Sequence, residues 1–251
     1  MSPAPVLLLH AFPCTGAMWG AQADALSEAG WDVVVPDLPG FGRSDLVDAE
    51  PDLDAVATVL LRELDAQRIE QVAVAGLSLG GYLAMALARI APERLTAVML
   101  CDTKGTADAP AAVENRHRLA QAVLDEPANC GRILRQSVLP GLLGSTTFAE
   151  RLDVVARVEG WLDAARPESV AWYQRAMAAR PDSLSTLRSL RVPALVLWGD
   201  EDAISPEPEQ RAMLDACADG RAAVIATSGH LAAVECPDAV SAALIDFLAR
   251  R

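Results

Sequence analysis

Six short, mostly continuous apolar runs punctuate this chain, at residues 6–10, 32–36, 71–76, 95–102, 194–199 and 222–227, with helix-compatible stretches near them. No other feature of the sequence restricts its fold as much. A run that is apolar at successive positions, not at every second one, suits a strand covered on both faces. Amphipathic helices are expected over 19–29, 52–66, 79–90, 208–218 and 237–248. Strands and helices alternating in this way predict an α/β fold with a doubly wound, mainly parallel sheet. Pro92 and Pro237 stand just past one helix and at the start of another, where a residue lacking its N–H is tolerated.

One stretch breaks the alternation. From about residue 104 to 189 there is no buried strand pattern, only helix-favouring sequence at 111–124, 128–138, 147–160 and 169–179. That is too long for a loop. The chain therefore divides into a first core segment (1–103), a helical insertion (104–189) and a second core segment (190–251). An insertion at the C-terminal edge of such a sheet lies over the crevice where ligands bind, so this one is expected to be a cap or lid.

Composition narrows the function classes. Acidic residues outnumber basic ones by 34 to 21, a net charge of −13, which argues against nucleic acid or an anionic membrane as partner. Five scattered cysteines without a Cys-x-x-Cys pair suggest neither a disulfide framework nor a zinc site. Three histidines are too few for a multi-histidine metal centre, and no motif suggests a cofactor. No apolar run approaches the roughly 18 residues of a membrane span. The early run at 6–9 is too short for a signal-peptide core, so a cytoplasmic location is expected.

The chemistry centres on Gly76-Leu77-Ser78-Leu79-Gly80-Gly81, which follows the apolar run Val72-Ala73-Val74-Ala75 and precedes a helix-compatible stretch. A strand, Gly-x-Ser-x-Gly and a helix make a tight turn that holds a serine hydroxyl out into a cleft. Ser78 is the candidate nucleophile. A serine hydroxyl needs a base, and the base an orienting group. His230, in Thr227-Ser228-Gly229-His230 after the last predicted strand, suits the role of base. His10 ends the first strand, and His117 sits mid-helix in the insertion as a surface residue. For the acid, Asp200 and Asp202 in Gly199-Asp200-Glu201-Asp202 end a strand at the same sheet edge, as does Asp102. Periodicity does not choose among the three. Two backbone N–H groups are needed for the developing oxyanion. Leu79, after the serine, supplies one, and Phe12, in His10-Ala11-Phe12-Pro13, the other.

In these segments, and in Asp37-Leu38-Pro39-Gly40-Phe41-Gly42-Arg43-Ser44, the chain resembles the α/β-hydrolase superfamily over nearly its whole length apart from the insertion. The resemblance implies that the acid is Asp202, three residues after the glycine of Gly-x-x-Asp. It also implies that the first hairpin of the family sheet is missing and that Ala11 replaces a glycine of the His-Gly loop. Gly229-His230-Leu231-Ala232-Ala233-Val234-Glu235-Cys236-Pro237 and Leu100-Cys101-Asp102-Thr103 are similar to the 3-oxoadipate enol-lactonase and small-esterase branch. A serine hydrolase of small esters or lactones is implied, working through an acyl-enzyme without a metal or other cofactor. Carbon–carbon bond hydrolysis of ring-cleavage products and cofactor-free perhydrolysis use the same triad, and a non-catalytic ligand receptor can occupy the same fold. Trp19, Leu77, Trp161, Trp172, Tyr173 and Met177 are candidates to line an acyl pocket. Arg116, Arg118 and Arg135 are candidates to meet the carboxylate of an enol-lactone.

Overall fold

Strands β1 (Val6–Leu9), β2 (Val33–Val34), β3 (Val72–Leu77), β4 (Leu95–Cys101), β5 (Ala194–Gly199) and β6 (Gly220–Ile225) make one sheet in the order β2-β1-β3-β4-β5-β6 in this computed structural model, which describes residues 4–250. Every neighbouring pair is parallel. The central strands explain the continuous apolar runs: β1, β3 and β5 are buried at every position, and β4 at all but Thr96. At the edge the pattern loosens. β6 alternates between exposed and half-buried until Ile225, and Val224 stands 55% exposed. The expected strand over 32–36 shrinks to two residues, because Pro36 has no N–H for the ladder. Among the described residues no strand precedes Val6 in the sheet.

Helices α1 (Gly20–Glu28), α2 (Leu53–Ala66) and α3 (Leu79–Ile90) connect the first strands. The carboxylate of Asp52 caps α2 by accepting the Asp54 N–H at 2.9 Å. α3 is buried from Leu79 through Ala88 because it packs on the sheet and on α2. The insertion between β4 and β5 is entirely helical: α4 (Pro110–Asp125), α5 (Cys130–Ser137), α6 (Leu139–Leu142), α7 (Ser145–Glu150), α8 (Leu152–Ala164), α9 (Pro167–Ala179) and α10 (Leu184–Ser189), with one short 3₁₀ turn at Pro127–Asn129. The expected helix over 147–160 is two helices. Arg151 breaks it in a non-helical conformation (φ −125°, ψ 59°), with its guanidinium donating to the Thr227 carbonyl at 2.7 Å. α6, which carries Pro140 and Gly141, gave no periodic signal. Helices α11 (Glu207–Ala216), α12 (Ala232–Glu235) and α13 (Pro237–Ala249) complete the second core segment. Among the described residues no helix is long and apolar enough to cross a membrane.

The strand order decides where a ligand can sit. The chain runs from β1 outward to β2, then crosses back to place β3 on the other side of β1. Such a reversal leaves a crevice at the C-terminal ends of the two central strands. Both Ser78 and the His10-Ala11-Phe12-Pro13 loop stand at that crevice.

Candidate active site

Ser78 occupies the single residue between β3 and α3, at φ +54° and ψ −108°. A residue with a Cβ pays of order 1–3 kcal/mol for such a conformation, so the surroundings must impose it. They do so through hydrogen bonds: the Ser78 N–H donates to the Cys101 carbonyl at 2.9 Å, and the Thr103 hydroxyl donates to the Ser78 carbonyl at 2.8 Å. The flanking glycines are required by close approach. A Cβ on Gly76 would stand 2.1 Å from the Gly80 carbonyl oxygen, and one on Gly80 2.0 Å from that of Leu9.

His230 follows β6 on a loop and is nearly fully buried. Its Nε2 stands 2.8 Å from Ser78 Oγ and its Nδ1 2.9 Å from Asp202 Oδ2. An ionised carboxylate only accepts, so the ring proton lies on Nδ1 and Nε2 is left to accept the serine hydroxyl. Asp202 also accepts the N–H groups of Ile204 (2.8 Å) and Ser205 (3.1 Å), and the Ser205 hydroxyl. Burial works to raise its pKa, but the adjoining imidazole and these donors outweigh it and hold the carboxyl at about 2. Asp202 is thus ionised at neutral pH.

The other two acidic candidates are occupied elsewhere. Asp200 is exposed and accepts a long bond from the Ser228 N–H at 3.4 Å. Asp102 is fully buried at the end of β4, where it accepts the Gly199 N–H (2.8 Å) and the Ala232 N–H (3.1 Å). Burial, reinforced by the nearby Asp202 charge, pushes its carboxyl well above the usual range. Asp102 therefore ties the strand end to both the acid loop and the histidine loop. Glu201 and Glu235 anchor the insertion to the same two loops: Glu201 accepts the Thr146 N–H (2.9 Å), and Glu235 bridges the N–H groups of Gly144 (2.8 Å) and Leu231 (3.1 Å).

His10 is a structural histidine. It is fully buried, its Nδ1 donates to the Ala11 carbonyl (2.9 Å), and its Nε2 accepts the Leu38 N–H (2.9 Å), while Phe41 meets the ring edge-on at 5.4 Å between centroids. It fastens the loop carrying Phe12 to the segment after β2. The N–H groups of Phe12 and Leu79 have no acceptor among the described residues. Burial lowers the His10 pKa to about 4. Below pH 6.5 the unfolded chain then binds a proton that the folded one refuses until about pH 4, so stability falls with pH across that window. Between pH 7 and pH 5 the loss from this residue should be about 2 kcal/mol. Urea titrations at the two pH values should show it in the wild type, with a flatter dependence in His10→Gln; identical pH dependence would remove His10 as the cause.

A cavity of about 270 Å³ opens over Ser78 and His230. Phe12 and Tyr82 of the core line it, and the insertion supplies Arg116, Val138, Leu142, Gln174 and Met177 among others. Of the six pocket candidates, Met177 lines this cavity and the other five do not. Trp19 and Leu77 are fully buried in the core. Trp172 donates its indole N–H to the Ala49 carbonyl at 2.9 Å, and Tyr173 packs between Phe41 and Trp172 with both ring centroids at 4.9 Å. Trp161 borders a separate cleft beside Pro13 and Phe41. Aromatic side chains on α8 and α9 could not be assigned a face from spacing alone, and most serve as packing between insertion and core. Of the three arginine candidates, Arg116 reaches the cavity. Arg135 pairs with Asp163 at the surface, and Arg118 is exposed beside Asn115. His117 is exposed, as expected. Tyr82, Val138, Leu142 and Gln174 carried no motif that could have singled them out.

Comparison with known proteins agrees with this architecture. A family model described as the alpha/beta hydrolase fold matches residues 4–237. A 2-hydroxy-6-oxononadienedioate/2-hydroxy-6-oxononatrienedioate hydrolase of Paraburkholderia phymatum is 28% identical, over 97% of this chain and 86% of its own length. An esterase from Thermogutta terrifontis, whose structure holds malate, superposes with a TM-score of 0.93 at 37% identity, covering 99% of this chain and 90% of that one. The enol-lactonase from Burkholderia xenovorans LB400 follows at a TM-score of 0.87 and 25% identity, over 98% and 92% of the two chains.

Proposed function

This chain belongs to the α/β-hydrolase family and is a hydrolase, and on that premise we propose that it cleaves small esters or lactones through a Ser78-His230-Asp202 triad. The observation that carries the reading is the continuous hydrogen-bonded path from a buried carboxylate through the imidazole to a serine hydroxyl that faces a cavity. His230 Nε2 takes the proton as Ser78 Oγ attacks the substrate carbonyl carbon. The oxygen of that carbonyl becomes negative, and the Phe12 and Leu79 N–H groups receive it. His230 then gives its proton to the leaving oxygen, and the acyl-enzyme forms. Water attacks it with the same histidine as base, releasing the acid and restoring Ser78. Asp202 holds the imidazole with its proton on Nδ1 throughout. Residues 104–189 act as the cap, a role supported by the insertion side chains that wall the cavity.

A second reading, hydrolysis of a carbon–carbon bond next to a carbonyl, draws support from the Paraburkholderia relative, whose name specifies a nonadienedioate substrate. Two measurements test these readings. A serine-directed fluorophosphonate should label the folded protein, and its failure to do so would return the fold to a ligand receptor. A panel of p-nitrophenyl esters, lactones and ring-cleavage dienones should show turnover of the esters or lactones; turnover of the dienones alone would favour carbon–carbon cleavage.

A further inference from the structure

Gln210 stands early in α11, fully buried, and takes no part in lining the cavity over Ser78. Its Nε2 donates to the Thr103 carbonyl at 2.9 Å and to the Ser205 carbonyl at 2.6 Å. Two carbonyls only accept, so they set which way the amide faces. The amide nitrogen is thereby spent on two separate segments: Thr103 follows β4, and Ser205 lies on the loop that carries Asp202. Gln210 Oε1 meets no donor among the described residues. A buried acceptor without a partner is unfavourable, and an apolar side chain would avoid it. Packing alone therefore gives no reason for an amide here.

Both carbonyls belong to residues that touch the triad. The Thr103 hydroxyl holds the Ser78 carbonyl at 2.8 Å, and a Cβ on Gly81 would stand 2.5 Å from the Thr103 side chain, so Thr103 packs directly on the start of α3. The Ser205 hydroxyl donates to Asp202 Oδ2, the oxygen that faces His230 Nδ1, while the Ser205 N–H donates to Oδ1 at 3.1 Å. One residue thus grips both carboxylate oxygens and fixes the plane of the group. Ser78, His230, Asp202, Ser205, Gln210 and Thr103 close a ring of six hydrogen bonds. Half of that ring is the path of the proton. The other half returns from the carboxylate to the serine turn through side chains that exchange no proton with substrate. Gln210 is the link that spans the two turns, and without it the ring is open.

Resting on the serine-hydrolase reading, we infer that Gln210 is a positioning residue for the reaction: acting through Thr103 and Ser205, it holds the serine turn and the acid loop at the spacing that aligns His230 between them.

Gln210→Met keeps the length of the side chain and removes the donors. It should lower kcat for the best p-nitrophenyl ester by roughly 10- to 100-fold, the scale on which small misplacements of reacting groups act, with KM within about threefold of the wild type. Gln210→Asn, which keeps an amide one methylene too short to span both carbonyls, should show the same loss. Ser205→Ala opens the ring at the next link, and Gln210→Met/Ser205→Ala should be no slower than the slower single variant. In an Asp202→Asn background, where the imidazole no longer receives the serine proton, Gln210→Met should cost less than about threefold more. Fluorophosphonate labelling of Ser78 should slow in step with kcat. A side chain that serves the fold alone gives a different pattern. Folded Gln210 variants with kcat within about threefold of the wild type, or the same loss with and without Asp202, overturn this inference alone. A folded wild type that neither reacts with fluorophosphonate nor hydrolyses any ester overturns the serine-hydrolase reading, and this inference with it.

Discussion

Replacement of Ser78 by alanine should lower kcat for the best ester on the order of 10⁶-fold, with KM little changed. The size follows from what is lost. Without Oγ no covalent acyl-enzyme forms, and His230 has no hydroxyl to deprotonate at 2.8 Å. The fold should tolerate the change, because the turn is held by backbone and neighbour bonds: Ser78 N–H to Cys101, Thr103 hydroxyl to the Ser78 carbonyl, and the glycine contacts around it. A residual rate of roughly 10³–10⁴ over water should persist from binding and the two oxyanion donors. The double variant Ser78→Ala/His230→Ala should be no slower than Ser78→Ala, since the two residues act as one unit. Single-turnover measurement with a p-nitrophenyl ester decides it. A Ser78→Ala protein within tenfold of the wild type would mean that another group attacks the carbonyl.

The parts of the molecule that were legible in the sequence are those fixed by local backbone physics. Central strands read as continuous apolar runs because both faces are covered, and the expected ends of β1, β3, β4 and β5 fall within one residue of the observed ones. β2 is shorter than its apolar run because a strand's extent depends on what it pairs with, and Pro36 ends the pairing. The serine turn was legible because Gly76 and Gly80 answer to backbone contacts close to 2 Å that a Cβ would make. The pocket wall was not, because its residues meet only through tertiary packing. Arg116 is placed by Asp108 eight residues before it and by Gln174 on another helix. Nothing in the neighbourhood of Trp172 in sequence announces that its indole serves the Ala49 carbonyl.

The insertion and the core brace each other around the site. The acid and base loops are each held on two sides, by Asp102 from the sheet and by Glu201 and Glu235 toward residues 144–146 of the insertion. A Cβ on Gly229 would stand 2.2 Å from the Gly144 nitrogen, so the histidine loop and the insertion touch backbone to backbone. The segment that walls the cavity therefore also braces the loops that carry Asp202 and His230. Substitutions in residues 143–151 can change kcat without touching substrate.

Hydrogen-bond partners and burial separate the two aspartates of the acid loop, and their asparagine variants should differ by orders of magnitude. Asp202→Asn should lower kcat on the order of 10⁴-fold, while Asp200→Asn should leave it within severalfold of the wild type. The shapes of the two side chains are nearly unchanged, so the effect is one of protons. Asp202 accepts from His230 Nδ1, from two backbone N–H groups and from the Ser205 hydroxyl. The backbone donors claim the oxygen of an asparagine at Oδ1, which turns its N–H₂ toward Nδ1. Nδ1 must then accept, the ring proton moves to Nε2, and Nε2 can no longer take the Ser78 proton. The imidazolium formed in the transition state also loses the adjoining carboxylate charge of Asp202, 2.9 Å from Nδ1. Asp200, exposed and bonded weakly to the Ser228 N–H, has neither contact. Loss of kcat in Asp200→Asn with normal turnover in Asp202→Asn would transfer the orienting role to Asp200, and equal retention in both would leave His230 oriented by some other group.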